Sequence, residues 1–290
     1  SKGLEFGIYS CAGSETCAGR PGSLGHEYQD ARTYARWGVD YLKYDWCHTT
    51  TQDTRSSYAN MRDALYAAGR PIVFSICEWG GTKPWEWGKK VGHLWRTTHD
   101  IRDNWDSMIG IVDEQKELAQ HHGPDGWNDP DMLEVGNGGM TVAEYRTHFS
   151  LWCMLSAPLM AGNDLANMAP EIRDILTNHE MIAIDQDSLG KQAVCYRDNG
   201  DYEIWGKALV NKEKVVCLVN RSDEEKEVEV NFHYLIKKSD NYWYTYPYKL
   251  ADYSIRDLWA HKEVKIGKSG IITVKMAPHT AEVYRFVKKQ

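Results

Sequence analysis

The stretch Val39-Asp-Tyr-Leu-Lys-Tyr-Asp-Trp-Cys47 decides how this chain is read. Its apolar and aromatic residues make a candidate buried strand, and the end of that strand carries Lys43 and Asp45 two residues apart. Side chains two apart on a strand share a face, so an ammonium and a carboxylate project into one cleft. A cation beside it keeps a carboxylate ionised and ready to attack. An isolated aspartate after a strand is ordinarily a turn residue. Against that reading, Cys77-Glu-Trp79 closes the next apolar run, Trp95-Arg-Thr-Thr-His-Asp100 the one after, and Gly126-Trp-Asn-Asp-Pro-Asp-Met-Leu133 the one after that. Polar chemistry recurs at the same end of successive strands.

Up to about residue 185 strands and helices alternate. Predicted strands cover Leu4–Ser10, Val39–Trp46, Pro71–Cys77, His93–Thr97, Gly126–Met132 and Pro158–Gly162. Predicted helices cover Ser23–Gly38, with Ser23 as N-cap, then Thr54–Gly69, a short piece at Pro84–Gly92, Asn104–His122, Thr141–Ser156 and Pro170–Asn178. Six βα units of this kind predict an α/β fold with a parallel sheet and helices outside. An open doubly wound sheet and a (β/α)8 barrel of the TIM type both satisfy the pattern. No glycine-rich phosphate loop follows the first strand, and functional-looking residues follow four or more strands, which favours the barrel. A barrel needs eight units, so the first two are expected to be missing before the abrupt start at Ser1. From about Lys191 short alternating runs take over, at Tyr202–Trp205, Lys214–Asn220, Lys226–Asn231, Asn241–Tyr246, Glu263–Ile266, Gly270–Met276 and Ala281–Val287. They predict a C-terminal antiparallel β-sandwich without a helix. The expected domains are therefore an N-terminally incomplete catalytic barrel at 1–190 and a sandwich at 191–290.

Among 290 residues, 41 acidic against 34 basic side chains give a net charge of −7 with no basic stripe, which argues against a nucleic-acid partner. No apolar run approaches the roughly 18 residues of a membrane span, and no signal peptide precedes the first strand. Twelve tryptophans and seventeen tyrosines stand against five phenylalanines. Such rings suit stacking on sugars while their polar tips bond hydroxyls, although most must fill core. Seven cysteines are an odd number, so at least one is unpaired within the chain, and Cys153 and Cys217 sit in apolar patterns as buried thiols. Histidines and cysteines show no zinc-ligand spacing, so no metal is expected. His121 and His122 are expected at a solvated helix end, and Asn220-Arg-Ser222 matches a glycosylation sequon.

The chain resembles glycoside hydrolase family 27, the α-galactosidases. The resemblance is carried by Gly7-Ile-Tyr-Ser-Cys-Ala-Gly13 with Thr16-Cys17, Pro21-Gly-Ser23, Tyr41-Leu-Lys-Tyr-Asp-Trp-Cys47, Cys77-Glu-Trp-Gly80 and Trp95-Arg-Thr-Thr-His-Asp-Ile101. It continues through Gly126 to Asn137, Gly138-Gly-Met140, Ala157-Pro-Leu159 and Ile184 to Gln192. The family fold so implied is a (β/α)8 barrel followed by a β-sandwich. Position by position, the resemblance makes Asp45 the nucleophile and Asp100 the general acid/base. Tyr9, Lys43, Glu78 and Arg96 become sugar-binding residues, and Cys17 and Cys47 a disulfide beside the sugar. Glu78 followed by Trp79 looks like the galactose-type reader of the 2-hydroxyl. Cys11 stands where many members have Asp.

Retaining glycosidases need two carboxyl groups about 5–5.5 Å apart. Asp45 and Asp100 would end different strands, Lys43 lowering the pKa of the first while the second needs a raised one. No cofactor is required. The implied activity is removal of terminal α-galactose from oligosaccharides or polysaccharides, with a β-L-arabinopyranosidase of the same mechanism as the near alternative. A third reading is an inactive carbohydrate-binding fragment, because an incomplete barrel leaves open sheet edges through which the chain could self-associate. Trp46 and Trp79 are either core or sugar platform, Arg96 either a sugar ligand or the partner of a structural carboxylate such as Glu78. Asp129 and Asp131, flanking Pro130, are expected to fix their loop. The family and its disulfide imply a secreted or periplasmic location.

Overall fold

The computed structural model describes residues 2–238 and 249–289. It divides into two compact units, one of residues 1–100 with 125–131 and one of residues 101–124 with 132–290. At the centre of the first lies an all-parallel sheet of β1 (Gly7–Cys11), β2 (Tyr41–Asp45), β3 (Val73–Cys77), β4 (Leu94–Arg96) and β5 (Trp127–Asp129). The strands lie side by side in chain order, without the reversal that marks a doubly wound sheet. The sheet is therefore of barrel type.

Alternation along β2 separates two faces. Leu42 and Tyr44 are fully buried against the helical layer, where Tyr58 of α2 (Thr54–Ala67) packs edge-on to Tyr44 and donates its hydroxyl to the Tyr44 carbonyl at 3.0 Å. Tyr41, Lys43 and Asp45 take the opposite face. Trp46 stacks on Tyr58, with centroids 5.6 Å apart, and belongs to this core. Helix α1 (Glu27–Trp37) stops where Gly38 adopts φ 74° and returns its N–H to Tyr34 and Ala35. Its N-cap is His26, without a side-chain bond, and not the expected Ser23. Ser23 is buried and turned inward, its hydroxyl 2.9 Å from that of Ser10. Helix α2 has Asp53 as cap, accepting from the Ser56 N–H at 2.8 Å. The expected piece at 84–92 is a single turn, α3 (Pro84–Trp87), followed by a 3₁₀ turn.

The second unit begins with α4 (Trp105–Gln115), shorter than the predicted 104–122. His122 is buried rather than solvated. Helix α5 (Val142–Leu155) starts from a capping box of Thr141 and Glu144. The predicted sixth strand shrinks to one parallel bridge between Leu133 and Ala161. Pro158 has no N–H for a ladder, and Met160 bonds back to the Pro158 carbonyl. After α6 (Pro170–Leu176), Asn178 caps a further helix, α7 (His179–Asp185), that periodicity did not reveal.

A six-stranded antiparallel sheet follows. Its spatial order is β11 (Lys262–Glu263), β10 (Tyr253–Asp257), β13 (Ala281–Lys288), β8 (Lys214–Asn220), β7 (Tyr202–Ala208) and β6 (Val194–Asp198). Against it pack the paired strands β9 (Lys226–Asn231) and β12 (Ile271–Met276), with Val216, Leu218 and Phe286 facing Val228, Val230 and Met276 in one core. The helix α8 (Phe232–Lys238) was not expected, β6 and β10 were missed, and the predicted strand at 241–246 lies outside the described residues. All seven residues of β8 are buried, because Val215, Cys217 and Val219 join Trp152, Trp205 and Val283 in a second core on its other face. Asn220 is fully buried, its amide donating to the carbonyls of Glu224, Met276 and Ala277, which leaves no room for a glycan in the folded chain. Among the described residues no helix is long and apolar enough to cross a membrane.

Trp95 of β4 is fully buried, with its indole N–H on Asn128 at 2.8 Å, and the chain passes its ring edge at Gly126. A Cβ at Gly126 would lie 2.4 Å from Trp95 Cη2. Gly126→Ala is expected to destabilise the chain by about 1–3 kcal/mol. Gly110→Ala, in α4 with nothing within 4 Å, should stabilise it by about 0.5–1 kcal/mol. Urea unfolding midpoints of the two variants check both signs.

Candidate active site

Parallel register builds the site. Cys11 pairs with Asp45, Asp45 with Cys77, and Arg96 with Asp129, while the pairing of Ile76 with Trp95 sets Cys77 opposite Arg96. One rung at the C-terminal edge of the sheet therefore carries thiol, carboxylate, thiol, guanidinium and carboxylate. The rung below carries Tyr9, Lys43 and Ser75. Loops leaving these strands add Glu78, Asp100 and Asp131.

Asp45 is buried and held from both oxygens. Oδ2 accepts the Tyr9 hydroxyl at 2.7 Å, and Oδ1 accepts the Trp46 N–H at 2.8 Å. Burial, and then the Asp45 carboxylate it bonds, push the Tyr9 phenol well above its usual range, so Tyr9 is a fixed donor. The implied disulfide is formed: Cys17 and Cys47 are bonded across a Cα separation of 5.2 Å, with Cys17 Sγ 3.4 Å from Asp45 Oδ2. Cys17, Asp45 and Cys47 are the one convergence of metal-ligand atoms among the described residues, but both sulfurs are spent on each other. Lys43 makes no ion pair with Asp45 among the described residues, and its charge acts on Cys77 and Asp129. Cys11 is buried and unpaired, donating its thiol to the Cys47 carbonyl at 3.0 Å.

Arg96 is 1% exposed and pairs through Nη2 with Asp100 at 2.9 Å and Asp131 at 2.8 Å. Glu78 is not its partner. The turn after β3 runs through Trp79 (φ 58°) and Gly80 (φ 79°), where a Cβ at Gly80 would strike the Thr97 carbonyl at 2.3 Å. That turn folds Glu78 under the Thr82 N–H, which donates to Oε2 at 2.8 Å. Oε1 is buried and has no partner among the described residues. Burial pushes the Glu78 carboxyl above its ordinary range, the bonds from Thr82 opposing. Burial also raises Asp129, with Arg96 opposing and Asp131 adding to the rise. Asp100 is 77% exposed.

The structure thus gathers Tyr9, Cys17, Cys47 and Asp45 into one cluster and Arg96, Asp100 and Asp131 into another, with Glu78 on the neighbouring turn. Sequence reading missed the contact between Asp131 and Arg96; the repeat of Asp on both sides of Pro130 was the available signal. A buried acceptor without a donor is unfavourable, and a carboxyl whose folded pKa is raised loses stability as pH climbs through its unfolded value of 4.5. Glu78→Gln keeps an acceptor for Thr82 and removes the charge. It is expected to stabilise the chain at pH 7, with the gain fading below about pH 4.5; denaturant midpoints of both proteins between pH 4 and 8 check this.

Residues 1–187 match the family model described as α-galactosidase A, and residues 199–286 the α-galactosidase C-terminal β-sandwich domain. α-Galactosidase A of Cellvibrio japonicus is 46% identical over 96% of this chain and 73% of its own. α-Galactosidase I of Mortierella vinacea, a crystal structure, superposes with a TM-score of 0.90 at 34% identity, covering 99% of this chain and 77% of that one. The structure of a Saccharomyces cerevisiae α-galactosidase with raffinose superposes with a TM-score of 0.84 at 27% identity, covering 99% and 80%. The chain spans between 63% and 73% of the length of the curated relatives it matches. By sequence and by fold, it belongs to the α-galactosidases of glycoside hydrolase family 27.

Proposed function

We propose that this chain carries the catalytic groups of a retaining exo-α-galactosidase, with the chemistry in residues 1–190 and a supporting sandwich in 191–290. The observation that carries the reading is Asp45, aimed from the end of β2 by donors on both oxygens, on the rung whose Arg96 grips Asp100. Asp45 attacks the anomeric carbon of a terminal α-galactoside while the bond to the leaving oxygen breaks and Asp100 gives that oxygen its proton. Asp100 then takes a proton from water, whose oxygen displaces Asp45 and restores the α configuration. The buried, partnerless oxygen of Glu78 suits a sugar hydroxyl. Lys43 supplies a further donor to the same cleft. Raffinose in the yeast relative's structure supports oligosaccharide galactosides as the substrate class. The disulfide supports a secreted or periplasmic location. The outer edge of β1, unpaired among the described residues, supports self-association, against which a monomer by size-exclusion chromatography would count.

The arabinopyranosidase reading ranks behind, since the curated relatives at 43–46% identity are α-galactosidases. Nitrophenyl α-D-galactopyranoside and β-L-arabinopyranoside, assayed side by side, decide between the two; turnover of neither by the folded chain supports the inactive-fragment reading. Asp45→Asn is expected to cost on the order of 10⁴-fold in kcat. Azide separates the roles. Asp100→Gly rescued by azide should release α-galactosyl azide, because the anion opens the enzyme-bound intermediate. Asp45→Gly should release the β-azide, because the anion replaces the nucleophile. The opposite pairing of products would reverse the assignment.

A further inference from the structure

One guanidinium nitrogen carries two carboxylates, since Arg96 Nη2 is the atom paired with both Asp131 Oδ2 and Asp100 Oδ1. The two acids differ in everything else. Asp131 has 8% of its side chain exposed against 77% for Asp100. Its backbone sits at φ 93°, and its N–H is fixed by Asp129 Oδ1 at 2.9 Å. The rigid, buried acid sets where the guanidinium lies. The exposed one receives the charge that is left.

We infer that Asp131 is a positioning residue for the acid/base step. By sharing Arg96 Nη2 it withholds part of the guanidinium charge from Asp100, and so raises the pH at which Asp100 gives up its proton. The inference rests on the reading of Asp100 as the acid/base. An undivided cation at this distance lowers a carboxyl pKa by about 1–3 units, which would strip the acid of its proton before the leaving oxygen could take it. The other charged or titratable groups facing Arg96 are Cys77 on β3 and Asp129 on β5. Lys43 on β2 acts on both of them, and Asp45 on Cys77. Burial pushes the Cys77 thiol and the Asp129 carboxyl toward their neutral forms, and each acts on Arg96 less than Asp131 does.

The test is a ¹³C-carboxyl NMR titration of Asp100, assigned with Asp100→Asn, in the full chain and in Asp131→Asn and Asp131→Gly. Asn and Gly both tolerate a left-handed backbone. The Asp100 midpoint is expected to fall by about one pH unit in either variant. In the unsubstituted chain, Asp100 and Asp131 should each show the other's titration as a second inflection. An unmoved or raised midpoint in a folded variant, or two independent single inflections in the parent chain, overturns the inference. The alkaline limb of kcat/KM on nitrophenyl α-galactoside should move with the midpoint. Absence of turnover sinks the glycosidase reading and leaves the titration to judge Asp131. Turnover with an unmoved Asp100 midpoint sinks the role of Asp131 alone.

Discussion

In-register parallel pairing is the constraint on which the site depends. Because β1 through β5 lie in chain order and pair without a slip, residues far apart in sequence come level at one edge of the sheet. A shift of one residue in any strand would turn Asp45 or Arg96 into the helix-facing core and Tyr44 or Trp95 into the cleft. The apolar residues that alternate with the polar ones, Leu42, Tyr44, Ile76 and Trp95, therefore specify the chemistry as firmly as the carboxylates do. Their burial fixes the register, and the register places the charges.

The polar rung is an unfavourable thing to build into a barrel interior. It holds an almost wholly buried guanidinium and an Asp129 raised by its own burial, and the turn beside it carries Glu78, one of whose buried oxygens has no partner among the described residues. Positive φ at the non-glycine residues Trp79 and Asp131 adds backbone strain at the same edge. The aromatic layer of Tyr44, Tyr58, Phe74 and Trp95 beneath offsets these costs.

Much of this was legible in the sequence, and the failures have physical causes. The strands that end in polar residues were found because burial of one face leaves a period, and helix ends were found where glycine or a cap residue stops the chain. Lys43 and Asp45 were rightly placed on one face, yet no sequence pattern says that Tyr9 of the preceding strand bonds the carboxylate. The bridge at Ala161 was read as a strand because apolar runs look alike with or without ladder partners. Helix α7 went unseen because Asn178 closes one helix and caps the next, and α8 because seven residues are too few to show a period. Contacts between loops, such as Asp131 with Arg96, leave no period at all.

Strand β8 has no outer side. Its even and odd residues belong to different cores, one shared with the facing strand pair and the other with the helices of the same unit. The sandwich is thus a distinct sequence module whose sheet is a shared wall. A sandwich exchanged between relatives would have to bring residues at Trp205 and Val283 that still pack against Trp152 of α5.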